Sequence, residues 1–174
     1  MLNKNLVHAD GFEQVDKTVS INSINETVPV EKAQLEKLIP HGQSMCLLDA
    51  VEFWDRQQIR CRAKSVFKRN NPMLENGHLY TAALIEYGAQ AAAIHSGLIS
   101  GIQGKGPAAA PRPAYLGAVK GARFFVEQVA DKVDQLSVSA QMLLNNTEGA
   151  VYTFCVSNGS ESLVEGRLTV INQN

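Results

Sequence analysis

The chain has 174 residues, with 16 Lys and Arg against 17 Asp and Glu, and a formal net charge of −1. This length suits a single domain with one core. The near-neutral charge and the scattered basic residues argue against a nucleic-acid-binding surface. Cys46, Cys61 and Cys155 stand far apart and form no CxxC pair. We therefore expect no disulfide framework and no metal site, and a reducing cytoplasm as the compartment.

The first 29 residues mix Asn, Asp, Ser and Thr with isolated apolar residues and show no sustained period. We expect a loosely ordered arm over residues 1–29 and a single domain over residues 30–174. The arm lacks the apolar stretch of a signal peptide. A proline before acidic and periodic apolar residues predicts a short helix between Pro29 and Pro40.

Several runs of alternating apolar and polar residues predict strands. Two of them, Met45 to Trp54 and Gln58 to Phe67, flank the polar turn at residues 55–57. Further strands are predicted over residues 115–126, 135–144, 150–157 and 163–171, the first of them with the weakest pattern. The polar turns NNTEG and NGSES between the last three fit an antiparallel meander.

The stretch LYTAALIEYGAQAAAIHSGLISGIQ at residues 79–103 is apolar around nearly its whole circumference. It predicts a buried central helix over roughly residues 79–100. A membrane span is not expected, because polar residues interrupt the run. Glu86 and Gln90 are four residues apart and so share a helix face. A buried carboxyl is rare unless it is paired, so Glu86 is either a satisfied structural residue or a functional group.

One long helix among strands with short turns favours the α+β class, with an antiparallel sheet wrapped around a central helix in the hot-dog arrangement. A single sheet could not cover both sides of so apolar a helix. We therefore expect two sheets to associate edge to edge, as a dimer.

Several motifs resemble one known family. LIPHGQSMCLLDAVEFWD at residues 38–55 and LIEYGAQAAAIHSG at 84–97 are similar to the opening motif and central helix of the hot-dog 3-hydroxyacyl-acyl-carrier-protein dehydratases. NPMLENGHLY, YLGAVKGARF and LVEGRLTV extend the likeness from about residue 30 to the end. The chain resembles the divergent dehydratase-like branch found with aryl-polyene and related acyl-chain gene clusters.

The resemblance implies elimination of water from a 3-hydroxyacyl thioester in fatty-acid or polyene-type biosynthesis. The acyl group would be carried on the phosphopantetheine of an acyl carrier protein, and the chain would need no cofactor or metal of its own. Such a reaction needs a base at C2, an acid for the C3 hydroxyl and donors for the thioester oxygen. Glu86 is the expected acid, and His41 or His78 the expected base. Gln90, Tyr87 and Met45 are the expected substrate-binding residues.

The likeness departs from the family pattern at the histidine. Typical members carry a Gly-His-Phe-Pro turn well ahead of the helix, whereas Gly77-His78 is followed here by Leu79-Tyr80. If the helix began near Leu79, His78 would lie roughly 12 Å from Glu86 along it. His78 could then reach Glu86 only from a partner subunit. The alternative base, His41, could equally be a residue that orders the turn after Pro40.

Two other functions remain open at this stage, because fold does not fix function. One is hydrolysis of an acyl thioester by a single carboxylate with water. The other is a non-catalytic acyl-binding subunit in a mixed dimer with a more typical dehydratase. The partners expected are a carrier protein and a second hot-dog subunit, identical or different, with no nucleic acid and no membrane span. Docking of an acidic carrier is expected at scattered basic residues, with Lys68, Arg69, Arg112 and Arg123 as candidates.

Overall fold

A computed structural model describes residues 30–36, 38, 45–100 and 114–172. The predicted arm at residues 1–29 lies outside these ranges. A 3₁₀ turn over Thr81–Ala83 leads into the long helix. The elements in chain order are β1 (Val30–Glu31), α1 (Lys32–Leu35), β2 (Ala50–Trp54), β3 (Gln58–Lys64), α2 (Leu84–Ser100), β4 (Ala114–Phe124), β5 (Gln135–Asn145), β6 (Gly149–Asn158) and β7 (Glu161–Asn172).

The strands form one seven-stranded sheet in the order β1-β2-β3-β5-β6-β7-β4, and every neighbouring pair is antiparallel. Along β6, Ala150, Tyr152, Phe154 and Val156 are buried, while the residues between them are half-buried. This alternation gives the sheet an inner face against α2 and a polar outer face. The predicted α+β hot-dog fold, with an antiparallel sheet against one long helix, is confirmed.

The helix begins later than the predicted residue 79. The Val129 N–H donates to the Leu79 carbonyl at 2.8 Å, and the Thr81 N–H donates to the Glu127 carbonyl at 3.0 Å. Residues 79 and 80 are therefore held in an extended conformation against residues 127–129, the 3₁₀ turn begins at Thr81, and α2 starts at Leu84. The apolar pattern continues through both conformations, so periodicity alone could not locate the boundary.

The other boundaries follow local backbone geometry. β2 begins at Ala50 rather than at the predicted Met45, and β3 ends at Lys64 rather than at Phe67. Ser65 has a φ of 52°, in the left-handed region, which ends β3. The weakly patterned strand is β4, a full strand at one edge of the sheet. The predicted first helix is a single turn, α1, and its predicted end at Pro40 lies outside the described residues.

The residues that the structure describes cover only one side of α2, whereas the sequence predicted burial on nearly all sides. The covered face comprises Leu84, Tyr87, Gly88, Gln90, Ala91, Ala92, Ile94, His95 and Ile99. A second group of residues is half-buried and falls within a sector of about 120° on the helical wheel. We call this sector the open face of α2; its members are Ile85, Glu86, Ala89, Ala93, Ser96 and Gly97.

None of the helices within the described ranges is both long and apolar enough to cross a membrane.

Candidate active site

The candidate site is organised by the side-chain amide of Gln90, which is only 1% exposed. Its Nε2 donates to the Met45 carbonyl at 2.8 Å and to Glu86 Oε1 at 3.0 Å. Its Oε1 accepts the Leu47 N–H at 2.9 Å. The amide therefore uses both hydrogens and its oxygen, and it joins the chain at residues 45–47 to the turn of α2 that carries Glu86.

These contacts fix the orientation of the Gln90 amide. The Leu47 N–H can only donate and the Met45 carbonyl can only accept, so the amide nitrogen must face Met45. The same nitrogen then faces Glu86 Oε1, which must act as an acceptor. A proton on the Glu86 carboxyl is therefore directed to Oε2. No residue of the described ranges forms a hydrogen bond with Oε2.

The segment that receives Gln90 is also held from its other side. Lys32 Nζ lies 3.3 Å from the Cys46 carbonyl and 3.3 Å from Asp49 Oδ1. Asp49 Oδ2 accepts the Lys64 N–H at 2.6 Å, which ties the segment to the end of β3. Burial raises the pKa of the Cys46 thiol, so this cysteine behaves as a core residue rather than as a nucleophile. The backbone at residues 45–49 is thus fixed although it belongs to no strand.

Glu86 is half-buried and lies on the open face of α2. Its neighbours on that face include the apolar residues Ile85 and Ala89. The expectation of a fully buried carboxyl is therefore corrected: Glu86 is half-buried among the described residues, and Gln90 holds one of its two oxygens.

Tyr87, a predicted substrate-binding residue, lies on the covered face and is 1% exposed. Its hydroxyl accepts a hydrogen bond from Asn71 Nδ2 at 2.9 Å, and burial raises its pKa to about 12. Asn71 Nδ2 also donates to the Val66 carbonyl at 2.6 Å. Asn71 Oδ1 accepts the Met73 N–H at 2.9 Å. No pattern in the sequence pointed to Asn71, which couples the loop before α2 to the residue next to Glu86.

The two candidate histidines are placed differently. His78 is exposed and closes a tight turn in which Asn76 and Gly77 have φ values of 51° and 84°, as in a type I′ turn. Its ring lies 6.3 Å from that of Tyr80, centroid to centroid. The structure does not bring His78 into hydrogen-bond contact with Glu86 in the part of the chain it describes. His41 lies outside the described residues.

His95 is fully buried on the covered face and belongs to the core. Its Nε2 lies 2.8 Å from the Asp55 carbonyl, and its Nδ1 lies 3.1 Å from the Tyr152 hydroxyl. Because the carbonyl only accepts, Nε2 carries the hydrogen and Nδ1 accepts from Tyr152. Burial lowers the pKa of His95, although the Asp55 carbonyl opposes this shift. Both ring nitrogens are satisfied, so His95 has a structural role.

Two depressions on the described surface, of about 580 and 290 Å³, lie away from Glu86. The larger is on the outer face of the sheet. Within the described ranges, no three His, Cys, Asp or Glu side chains converge on a point where a metal ion could bind.

Solved structures share this fold. The dehydratase heterocomplex ApeI:P from Xenorhabdus doucetiae matches with 24% identity and a TM-score of 0.70, over 80% of this chain and 91% of that one. A mutant thioesterase from Pseudomonas aeruginosa matches with 12% identity and a TM-score of 0.56, over 82% and 93%. An uncharacterized protein from Pyrococcus horikoshii matches with 14% identity and a TM-score of 0.54, over 84% and 95%. At these identities the likeness establishes the hot-dog fold.

A comparison with curated protein sequences finds no match. The family model for ApeP-like proteins, described as ApeP dehydratase, matches residues 33–174. This match includes the whole of α2, the sheet from β2 onward and the Glu86–Gln90 pair. The chain belongs to the ApeP-like dehydratase family.

Proposed function

We propose that this chain eliminates water from a 3-hydroxyacyl thioester, with Glu86 as the general acid. The observation that carries the proposal is the Glu86–Gln90 pair. Gln90 holds Oε1 of the carboxyl at 3.0 Å, and Oε2 has no hydrogen-bond partner among the described residues. A protonated Glu86 can there donate to the C3 hydroxyl, which departs as water when the C3–O bond breaks.

The second proton transfer needs a base. A neutral histidine takes the proton from C2, and the electron pair of that C–H bond becomes the C2–C3 double bond of the enoyl product. His41 and His78 are the candidates, and the base can come from this chain or from a partner subunit. Charge that develops on the thioester oxygen is stabilised by backbone N–H groups. Met45, whose carbonyl Gln90 fixes, lies at the end of the segment that follows His41.

The acyl group is proposed to arrive on the phosphopantetheine of an acyl carrier protein. Lys68 and Arg69 are exposed basic residues that suit an acidic carrier. Arg123 already pairs with Glu165 at 3.0 Å, so it offers less charge to a carrier than its sequence suggested. Arg112 lies outside the described residues.

We propose further that the chain works in a dimer with a second hot-dog subunit of different sequence. The open face of α2 and the free edge of β4 both expose apolar side chains that a second subunit would cover. The similar protein from Xenorhabdus doucetiae is itself part of a dehydratase heterocomplex.

Glu86→Gln tests the catalytic proposal, because it keeps the shape and removes the transferable proton. The protein, purified as the dimer with its second subunit, is incubated with a 3-hydroxyacyl carrier-protein thioester, and the enoyl product is read by mass. We expect dehydration to fall by about 10²- to 10⁴-fold with folding and association unchanged. Glu161→Gln, at an exposed glutamate, is the matched control and should retain activity.

Near-normal turnover by Glu86→Gln would refute the proposed mechanism. Absence of turnover in the unaltered chain, with acyl binding retained, would favour the non-catalytic acyl-binding subunit instead. Release of free acid rather than enoyl product would favour thioester hydrolysis.

A further inference from the structure

The outer edge of β4 has the properties of an interface for another strand. β4 pairs with β7 on one side, and none of the described strands pairs with its other side. Several apolar side chains on or beside this strand are exposed, among them Tyr115 at 54% and Phe124 at 49%. A long edge with exposed apolar residues is a template for another strand.

Beside this edge lie two cations without a counter-ion. Lys120 on β4 stands directly opposite Arg167 on β7, and both are exposed. Neither forms an ion pair with any carboxylate of the described residues. Directly opposed like charges destabilise an antiparallel pair. We call Lys120 and Arg167 the cation pair.

Among the described residues, the surface around the cation pair does not neutralise it. Both of its members line the depression of about 580 Å³ on the outer face of the sheet. Glu165 is the one carboxylate among the described residues that line this depression, and it is engaged by Arg123 at 3.0 Å. The remaining polar side chains of the lining are neutral: Gln58, Ser139, Gln141, Thr153 and Cys155.

We propose that the strand which covers the β4 edge supplies a carboxylate to the cation pair, so that the partner is a second hot-dog subunit with an acidic edge strand. The inference rests on the mixed dimer of the proposed function and specifies its chemistry. An antiparallel strand along β4 places every second side chain on the outer face, beside Lys120. A carboxylate at that position would pair with Lys120 and reduce the net positive charge of the cation pair.

A second copy of this chain is the poorer partner. Its β4, with the sequence AYLGAVKGARF, carries Lys120 and Arg123 and no acidic residue. Two copies joined edge to edge about a two-fold axis would bring both cation pairs onto the same outer face. The charges would then repel across the interface, and the free edge would select against self-pairing.

An acidic copy of the chain itself serves as the probe partner. Wild-type protein is mixed in equal amounts with the Lys120→Glu/Arg167→Glu variant, and each protein carries a tag of a different size. The proportions of the dimers are then measured by native mass spectrometry. We expect the ratio of mixed dimers to both kinds of same-chain dimer together, which equals 1 for random exchange in an equal mixture, to reach at least about 5 at low salt, and high salt to return this ratio to 1. The control is Lys68→Glu/Lys132→Glu, with the same charge change at exposed sites away from β4, which should give random proportions.

The neutral variant Lys120→Gln/Arg167→Gln provides a second reading. It should associate with itself more strongly than the wild-type chain does, because the repulsion is gone. The proposal would be overturned if the main mixture gave random proportions of mixed dimers, or if the control mixture gave the same excess of mixed dimers. It would also be overturned if only monomers were found. Stable wild-type dimers formed on adding inorganic phosphate at constant ionic strength would overturn it as well, since the cation pair would then be an oxyanion site. These measurements record association only, so they can fail while the dehydration test succeeds.

Discussion

Both faces of α2 contain small apolar residues, yet the described residues fill only one of the two faces. A Cβ added at Gly88, on the covered face, would lie 2.5 Å from Phe154 Cδ2. A Cβ added at Gly97, on the open face, would lie 3.4 Å from Leu38 Cδ2, near ordinary contact. The covered face thus has no room for a further atom at Gly88, while the open face has room for one at Gly97.

The polar residues follow the same division. His95, on the covered face, has both ring nitrogens occupied. Glu86, on the open face, has one oxygen held by Gln90. A polar group that is satisfied on every side stabilises the fold, whereas one left unsatisfied on an accessible side is available for chemistry. This difference separates the structural residues of α2 from the candidate catalytic one.

The largest expected loss of stability comes from Gln90, which lies where the two faces meet. Gln90→Leu leaves the Leu47 N–H and the Met45 carbonyl buried without partners. Since each unsatisfied group costs about 1–3 kcal/mol, we expect the free energy of unfolding to fall by about 2–4 kcal/mol, measured by urea denaturation. Gln141→Leu, at an exposed glutamine, should change it by less than about 0.5 kcal/mol. A tolerated Gln90→Leu would show that the amide does not organise the site.

His95→Phe tests the covered face alone. The variant keeps an aromatic ring but removes both hydrogen bonds, to the Asp55 carbonyl and the Tyr152 hydroxyl. We expect about 1–3 kcal/mol of destabilisation, with turnover per folded molecule close to that of the unaltered chain. Glu86→Gln should behave in the opposite way, with stability kept and turnover lost. If His95→Phe instead abolished turnover at full stability, the division between the two faces would be wrong.

Some of this arrangement was accessible from the sequence. The four-residue spacing placed Glu86 and Gln90 together, and alternation located six of the seven strands. The start of α2 could not be predicted from the sequence, because it depends on pairing of residues 79–81 with residues 127–129. Nor could the cation pair, since the facing of Lys120 and Arg167 depends on the register between β4 and β7.

The partners of Gln90 were missed for the same reason. Its amide binds backbone groups more than 40 positions earlier in the chain. Every residue has the same backbone groups, so the sequence does not show which of them the amide binds. An all-round apolar helix likewise does not reveal which of its faces the chain covers. The contacts that define the site are long-range, and the sequence identified only its local pair.

Gly88→Ala and Gly97→Ala compare the packing of the two faces directly. Alanine favours a helix over glycine by about 1 kcal/mol, so the substitutions differ only in what the methyl group meets. At Gly88 it meets the Phe154 ring, and overpacking should turn the gain into a net loss of about 1–2 kcal/mol. At Gly97 it should leave the melting temperature unchanged or slightly raised. Equal effects at the two positions, measured by thermal denaturation, would mean that the faces are packed alike.

The smallest expected effect is the pH dependence that His95 gives to stability. Burial lowers its pKa in the folded protein below the ordinary value of 6.5, so the unfolded chain binds more protons as the pH falls below that value. The contribution of His95 to the free energy of unfolding should therefore be complete above about pH 6.5. Below that pH it should decrease, by less than about 1.4 kcal/mol per pH unit for one proton. His95→Phe removes this titration, so its stability should vary less with pH between 6.5 and 5. If urea denaturation gave parallel curves for the two proteins across that range, His95 would be protonated equally easily in the folded and unfolded states. His95 would then not be buried in the covered face.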